Sequence, residues 1–140
     1  MRWGAYLHDI GKLAIPDRIL LKPGRLSPAE RRVIEAHTLR GEAILKGVPG
    51  MPRATLLIVR HHHERWDGTG YPDGLMGEAI PLGARLFSVI DVYDALISQR
   101  PYKPAWPVER ALEEIRRQAG RQFDPMAVEV FLEALNETPL

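Results

Sequence analysis

Residues 60–74 read RHHHERWDGTGYPDG, so three imidazoles and a carboxylate stand together at the head of a glycine-rich turn. Successive helical residues point about 100° apart, so His61, His62 and His63 cannot all face one centre. Two neighbours can serve two metal ions about 4 Å apart, the spacing of bimetallic hydrolytic sites. A surface cluster is the alternative for any histidine run. It is weakened here because the run closes an apolar stretch, ATLLIV, and precedes a stiff turn.

Other polar residues also interrupt apolar surroundings. His8-Asp9 ends the stretch YLHDIGKLAIP, with Lys12 one turn later. Asp91 and Asp94 lie three apart in LFSVIDVYDALI and are therefore neighbours on a helix surface. A buried carboxylate there costs several kcal/mol unless a cation or donors compensate it, and a wet helix edge or an arginine partner is an equal alternative. His37, among Val33, Ile34 and Leu39, is by itself more often an ordinary histidine than a ligand. The chain has no cysteine, so any metal must be held by nitrogen and oxygen. Such ligands suit Fe, Mn, Zn or Ni. A pair of these ions polarises a phosphoryl oxygen and makes a bridging water nucleophilic.

The elements that must position these groups read as helices. Residues 1–11 read as the end of one. AIPDRILLKPGRL, with prolines 16 and 23, reads as a loop. One helix is predicted over 27–45, because Ser27, Pro28 and Glu30 form a capping box and the apolar residues recur at helical spacing. RATLLIVRHHHE is a short buried helix, and 65–83, with five glycines and prolines 72 and 81, is a long ordered loop. LGARLFSVIDVYDALIS is apolar nearly all round, which implies burial. VERALEEIRRQAG is amphipathic and ends at Gly120, and Asp124-Pro125 opens a last helix through about Leu135. No segment alternates like a strand. The expectation is one all-α domain over residues 1–140, a compact bundle of about five to seven helices.

At 140 residues, 45% hydrophobic and 26% charged, the chain has the size and composition of a folded domain with a core. A net charge of +1 gives no general surface for a nucleic-acid polymer or a membrane. No signal segment or spanning run is present, which leads to the expectation of a cytoplasmic protein without membrane contact.

The motifs HDIGK at 8–12, HHERWDGTGYP at 62–72 and DVYDALISQRPYK at 91–103 closely resemble the HD-GYP family, bacterial HD-domain phosphohydrolases that degrade cyclic di-GMP. The likeness covers about residues 5–135. It implies that His8, Asp9, His37, His62, His63 and Asp91 are metal ligands, with Asp9 bridging two divalent ions, Fe or Mn ahead of Zn or Ni. It makes His61 the extra histidine and puts Thr38 where the family commonly has proline. Lys12 is implied to contact the scissile phosphate or assist the leaving group, so Asp9 and Lys12 are the expected catalytic residues. Tyr71, in the GYP turn, shapes the substrate cleft, and Arg100 and Lys103 hold substrate phosphates. Glu64 and Asp94 are candidate partners of ligating imidazoles, with ordinary salt bridging an equal reading. The implied partners are cyclic di-GMP, a diguanylate cyclase or adaptor at the GYP turn, and a second copy of the chain.

HD-type sites normally carry one more histidine on an earlier helix, and here none of the seven residues before His8 is His or Glu. The expectation is therefore a domain lacking its N-terminal helix or helices, with a dinuclear rather than trinuclear centre and an uncovered apolar groove that favours oligomerisation. The leading function is a metal-dependent phosphodiesterase that opens cyclic di-GMP to pGpG and onward to GMP. The alternatives are a catalytically weak cyclic-dinucleotide-binding or interaction module, and an HD hydrolase for another nucleotide.

Overall fold

The computed structural model describes residues 2–101 and 103–137; Tyr102, inside the third motif, lies outside them. The described residues form α1 (Arg2–Leu7), a 3-10 turn (Ile10–Ala14), α2 (Asp17–Leu20), α3 (Pro28–Glu35), α4 (His37–Lys46), α5 (Arg53–His61), a second 3-10 turn (Gly77–Ala79), α6 (Leu82–Ile97), α7 (Val108–Arg117) and α8 (Pro125–Glu137). Among the described residues there is no strand, only isolated bridges such as Arg100–Lys103. The architecture is all-α, as the absence of alternating segments predicts.

Two boundaries differ from expectation. AIPDRILLKPGRL is not wholly loop, because Pro16 precedes the one-turn helix α2, whose Ile19 is buried in the core. The helix predicted over 27–45 is two helices that break at Ala36. Its capping box is present: Glu30 N–H donates to Ser27 Oγ at 3.1 Å and Ser27 N–H to Glu30 Oε1 at 2.9 Å. The break has a local cause. His37 Nδ1 lies 2.6 Å from Ile34 O, and Thr38 Oγ1 donates to Glu35 O at 3.1 Å. These side chains take carbonyls that an unbroken helix gives to backbone N–H groups.

Helix α5 lies at the centre, packed on α1, α4 and α6. Its Ile58 and Val59 are buried with Leu45 of α4 and Phe87 of α6. On its other side α6 packs against α7 and α8, where Val89, Ile115, Phe123, Ala127 and Val128 form a closed apolar cluster. Burial of α6 is one-sided: Ala84, Phe87, Ser88 and Val89 are inside, whereas Leu82 and Ile90 are exposed. The 3-10 turn of HDIGK lies directly on α4. A Cβ on Gly11 would sit 1.9 Å from His37 O and 2.7 Å from Gly41 N, so only glycine permits this approach.

Candidate metal centre

Four helices deliver the histidines and carboxylates. His8 and Asp9 follow α1, His37 opens α4, His62 and His63 follow α5, and Asp91 comes from the middle of α6. In three cases the ring is fixed locally. Nδ1 of His8 lies 2.9 Å from Ala5 O, that of His37 2.6 Å from Ile34 O, and that of His62 3.0 Å from both Ile58 O and Val59 O. A carbonyl can only accept, so each Nδ1 carries a proton and each ring turns its Nε2 inward, where a neutral ring presents a lone pair.

Those Nε2 atoms converge on Asp9. Its Oδ2 is 3.1 Å from His8 Nε2, and its Oδ1 is 3.4 Å from His37 Nε2 and 3.9 Å from His62 Nε2. Asp91 Oδ1 is 3.4 Å from His8 Nε2, and Lys12 Nζ is 3.2 Å from Asp9 Oδ2. His63 completes the group, its ring 4.1 Å from that of His62 and 5.1 Å from that of His37. Asp9, His37, His62 and His63 offer ligand atoms within 4.8 Å of one another. Nε2 of His37 and of His62 are buried with no hydrogen-bond partner. Buried nitrogen lone pairs left unpaired beside a carboxylate are the state of ligands prepared for a cation. The donor set fits a divalent metal of borderline or hard character.

The electrostatics agree with this. Burial opposes charge on His8, but Asp9 and Asp91 outweigh it and push its pKa up to about 10, so without a metal its Nε2 holds a proton between the two carboxylates, a place that a metal cation would take over. Burial also opposes ionisation of Asp9, and His37, His8 and Lys12 reverse it, holding the carboxyl far below the usual range. Asp91 is likewise held low, chiefly by His8. Burial lowers His62 to about 4 and His63 to about 3, so both are neutral, as metal ligation requires. Burial, with Glu35, Asp9 and Asp91 nearby, pushes the Tyr71 phenol up, so it remains an O–H donor.

His61 points elsewhere. Its Nδ1 is 3.4 Å from Glu64 Oε1 and 3.5 Å from Asp73 Oδ2. The Glu64 carboxylate is buried and accepts the backbone N–H of Asp73 at 2.8 Å and of Leu75 at 3.1 Å. Arg60 bridges Asp73, at 2.8 and 2.9 Å, to Glu42 of α4 at 3.1 Å. The loop is thus pinned, and Tyr71 stacks on His63 with centroids 5.0 Å apart. A Cβ on Gly70 would meet Arg65 N at 2.4 Å and His63 O at 2.5 Å, which accounts for the glycine before that tyrosine. Glu64 therefore serves the loop, and Asp94 is exposed.

A cavity of about 300 Å³ opens beside the histidines, lined by His62, His63, Tyr71 and Asp91 together with Arg31, Glu35, Arg65 and Gln122. The structure does not bring Arg100 and Lys103 to it. Arg100 is exposed, and Lys103 Nζ donates to the Ala95 and Leu96 carbonyls at 3.2 Å, capping the C-terminal end of α6. Arg31, Glu35, Arg65 and Gln122 were not singled out in the sequence. Arg31 and Glu35 share one helix face four residues apart, a signal that could have been read, whereas nothing local marks Gln122.

A family model described as HD domain matches residues 1–127. The cyclic di-GMP phosphodiesterase response regulator RpfG of Xanthomonas campestris pv. campestris is 52% identical over 129 residues, which is 91% of this chain and 34% of that protein. A cyclic di-GMP phosphodiesterase of Thermotoga maritima is 44% identical over 138 residues, 98% of this chain and 38% of that one. This chain thus spans about a third of the length of these relatives. A crystal structure of a cyclic GMP-AMP specific phosphodiesterase from V. cholerae superposes with a TM-score of 0.70 at 23% identity, covering 96% of this chain and 37% of that one, so the two share a fold.

Proposed function

Because this chain belongs to the HD domain family, we propose that it is the hydrolytic domain of an HD-GYP phosphodiesterase opening cyclic di-GMP to pGpG, and onward to GMP. HD domains bind divalent metals. The observation that carries the reading is the pair of buried, unpartnered Nε2 atoms of His37 and His62 facing Asp9. His8, Asp9, His37, His62, His63 and Asp91 would hold two divalent ions, Fe or Mn ahead of Zn or Ni.

Bound there, such ions supply Lewis-acid stabilisation of the phosphoryl oxygens and lower the pKa of a water. The chain's own groups do the rest. Water oxygen forms a bond to phosphorus and releases a proton to solvent as the bond from phosphorus to the ribose oxygen breaks. Lys12, 3.2 Å from Asp9, stands where it can donate a proton to the departing oxygen. Arg65 lines the cavity and brings positive charge to it. Tyr71, neutral and stacked on His63, closes the cavity wall.

A cyclase or adaptor would dock on the exposed rim of the loop at Thr69, Asp73 and Met76. A second copy would cover the exposed Trp3, Tyr6 and Leu13. The test is turnover of cyclic di-GMP by protein loaded with Mn²⁺ or Fe²⁺, alongside elemental analysis of protein prepared without chelator. Linear product and bound metal are expected, and protein with neither would refute the reading.

A further inference from the structure

Arg31 and Glu35 lie one turn apart on α3, and both line the cavity beside His63, Tyr71 and Asp91. Neither side chain makes a hydrogen bond or ion pair among the described residues, although charged neighbours at this spacing commonly pair. An unpaired guanidinium and an unpaired carboxylate thus line one cavity from the same helix, one turn apart. Nothing in the metal chemistry uses them.

We infer that Arg31 and Glu35 read a guanine base in this cavity. The inference rests on the cyclic-dinucleotide reading above and names the base that the site selects. Guanine presents along one edge an acceptor, O6, followed by two donors, N1–H and the 2-amino group. A guanidinium beside a carboxylate is the complement of that order, with Arg31 donating to O6 and Glu35 accepting from N1–H and the amino group. Adenine reverses the order. Its 6-amino donor would face Arg31 and its N1 acceptor would face Glu35, leaving two charged groups opposed by like polarity. Discrimination by unpaired charge against the wrong partner exceeds what extra attraction to the right one supplies. The pair is also inexpensive to substitute. Glu35 ends α3, where a carboxylate opposes the helix dipole, so replacing it does not weaken the helix.

The experiment is calorimetric titration of the Mn²⁺-loaded protein with GMP, IMP and AMP, for the native chain, Glu35→Gln and Arg31→Ala. GMP is expected to bind about ten-fold or more tightly than AMP, the discrimination that one good bidentate side-chain–base pair supplies. Inosine keeps O6 and N1–H but lacks the 2-amino group. Glu35→Gln should therefore reduce GMP binding more than IMP binding, whereas Arg31→Ala should reduce the two together. Equal affinity for GMP and AMP, no GMP binding at millimolar concentration, or an unchanged GMP-to-AMP ratio in Glu35→Gln would each overturn the inference. Hydrolysis of bis(p-nitrophenyl) phosphate, which carries no base, separately tests the native protein as a phosphodiesterase. Its failure would strike that reading and leave the nucleotide ratios as measured.

Discussion

His61 and His62 are consecutive residues at the end of α5 that point in different directions: His62 Nε2 lies 3.9 Å from Asp9 Oδ1, while His61 Nδ1 lies 3.4 Å from Glu64 Oε1. The helix turns about 100° between them, and that rotation separates a metal centre from a loop anchor.

The two histidines should therefore part company in a metal-binding measurement. His62→Ala removes a prepared ligand and is expected to lower Mn²⁺ affinity by about 100-fold or more, beyond the losses seen when outer partners are removed. His61→Ala should leave metal stoichiometry intact. Competition titration against a chromogenic chelator distinguishes them, and equal losses would contradict the assignment.

Asp9 touches His8, His37, His62 and Lys12 at once. On the proposed reading, Asp9→Ala should abolish turnover of cyclic di-GMP and binding of added Mn²⁺, with far-ultraviolet circular dichroism still helical. Retention of both metal and activity would show that the cluster is not the reactive centre.

The contact of Gly11 with α4 has no room for a methyl group. Gly11→Ala is expected to destabilise the fold by at least about 2 kcal/mol, an overpacking cost that falls on backbone atoms that cannot rotate away. Gly47→Ala, whose added Cβ would come no nearer than 3.4 Å to Ile44 O in ordinary backbone, should change little. Urea midpoints of the two variants provide the comparison.

Replacing Glu64 frees the loop. Its carboxylate is the acceptor for two backbone N–H groups, so Glu64→Ala leaves both without their partner, at a cost of about 2 to 5 kcal/mol. Hydrogen exchange at the Asp73 and Leu75 amides should accelerate well before that of α6. Unchanged exchange there would mean that Arg60 alone holds the loop.

In chelator-treated protein, stability should peak near pH 6.5. His62 and His63 are depressed from 6.5 to about 4 and about 3 in the folded state, so between those values the unfolded chain binds more protons and stability falls as pH falls. His8 is raised to about 10, so its contribution is present below 6.5 and is lost as pH rises towards 10. Thermal melts from pH 5 to 10 test the shape of this curve. A monotonic rise across that range would refute the account of His8.

The all-α architecture was legible in the chain because helical periodicity and caps are local. The Ser27–Glu30 box, the close of α7 before Gly120 and the start of α8 after Asp124 all stand where residue types put them. The break at Ala36 was not legible, since side-chain bonds from His37 and Thr38 displace backbone bonds that periodicity takes for granted. Gln122 was not legible because nothing local marks a cavity wall, whereas the four-residue spacing of Arg31 and Glu35 on α3 shows their shared face but not the cavity they line.

Ring orientation belongs to the sequence. Each of His8, His37 and His62 bonds a carbonyl three or four residues back, a reach that any helical turn offers, and so presents its Nε2 outward. What that nitrogen meets belongs to the tertiary structure. Residues 8, 37, 62 and 91 come together only because α4, α5 and α6 pack their apolar faces, and burial then lowers the pKa of His62 and His63 and leaves two lone pairs unpaired. Lys103 marks the same boundary from the other side: its motif pointed to substrate phosphates, and packing at the end of α6 gave its ammonium the carbonyls of Ala95 and Leu96.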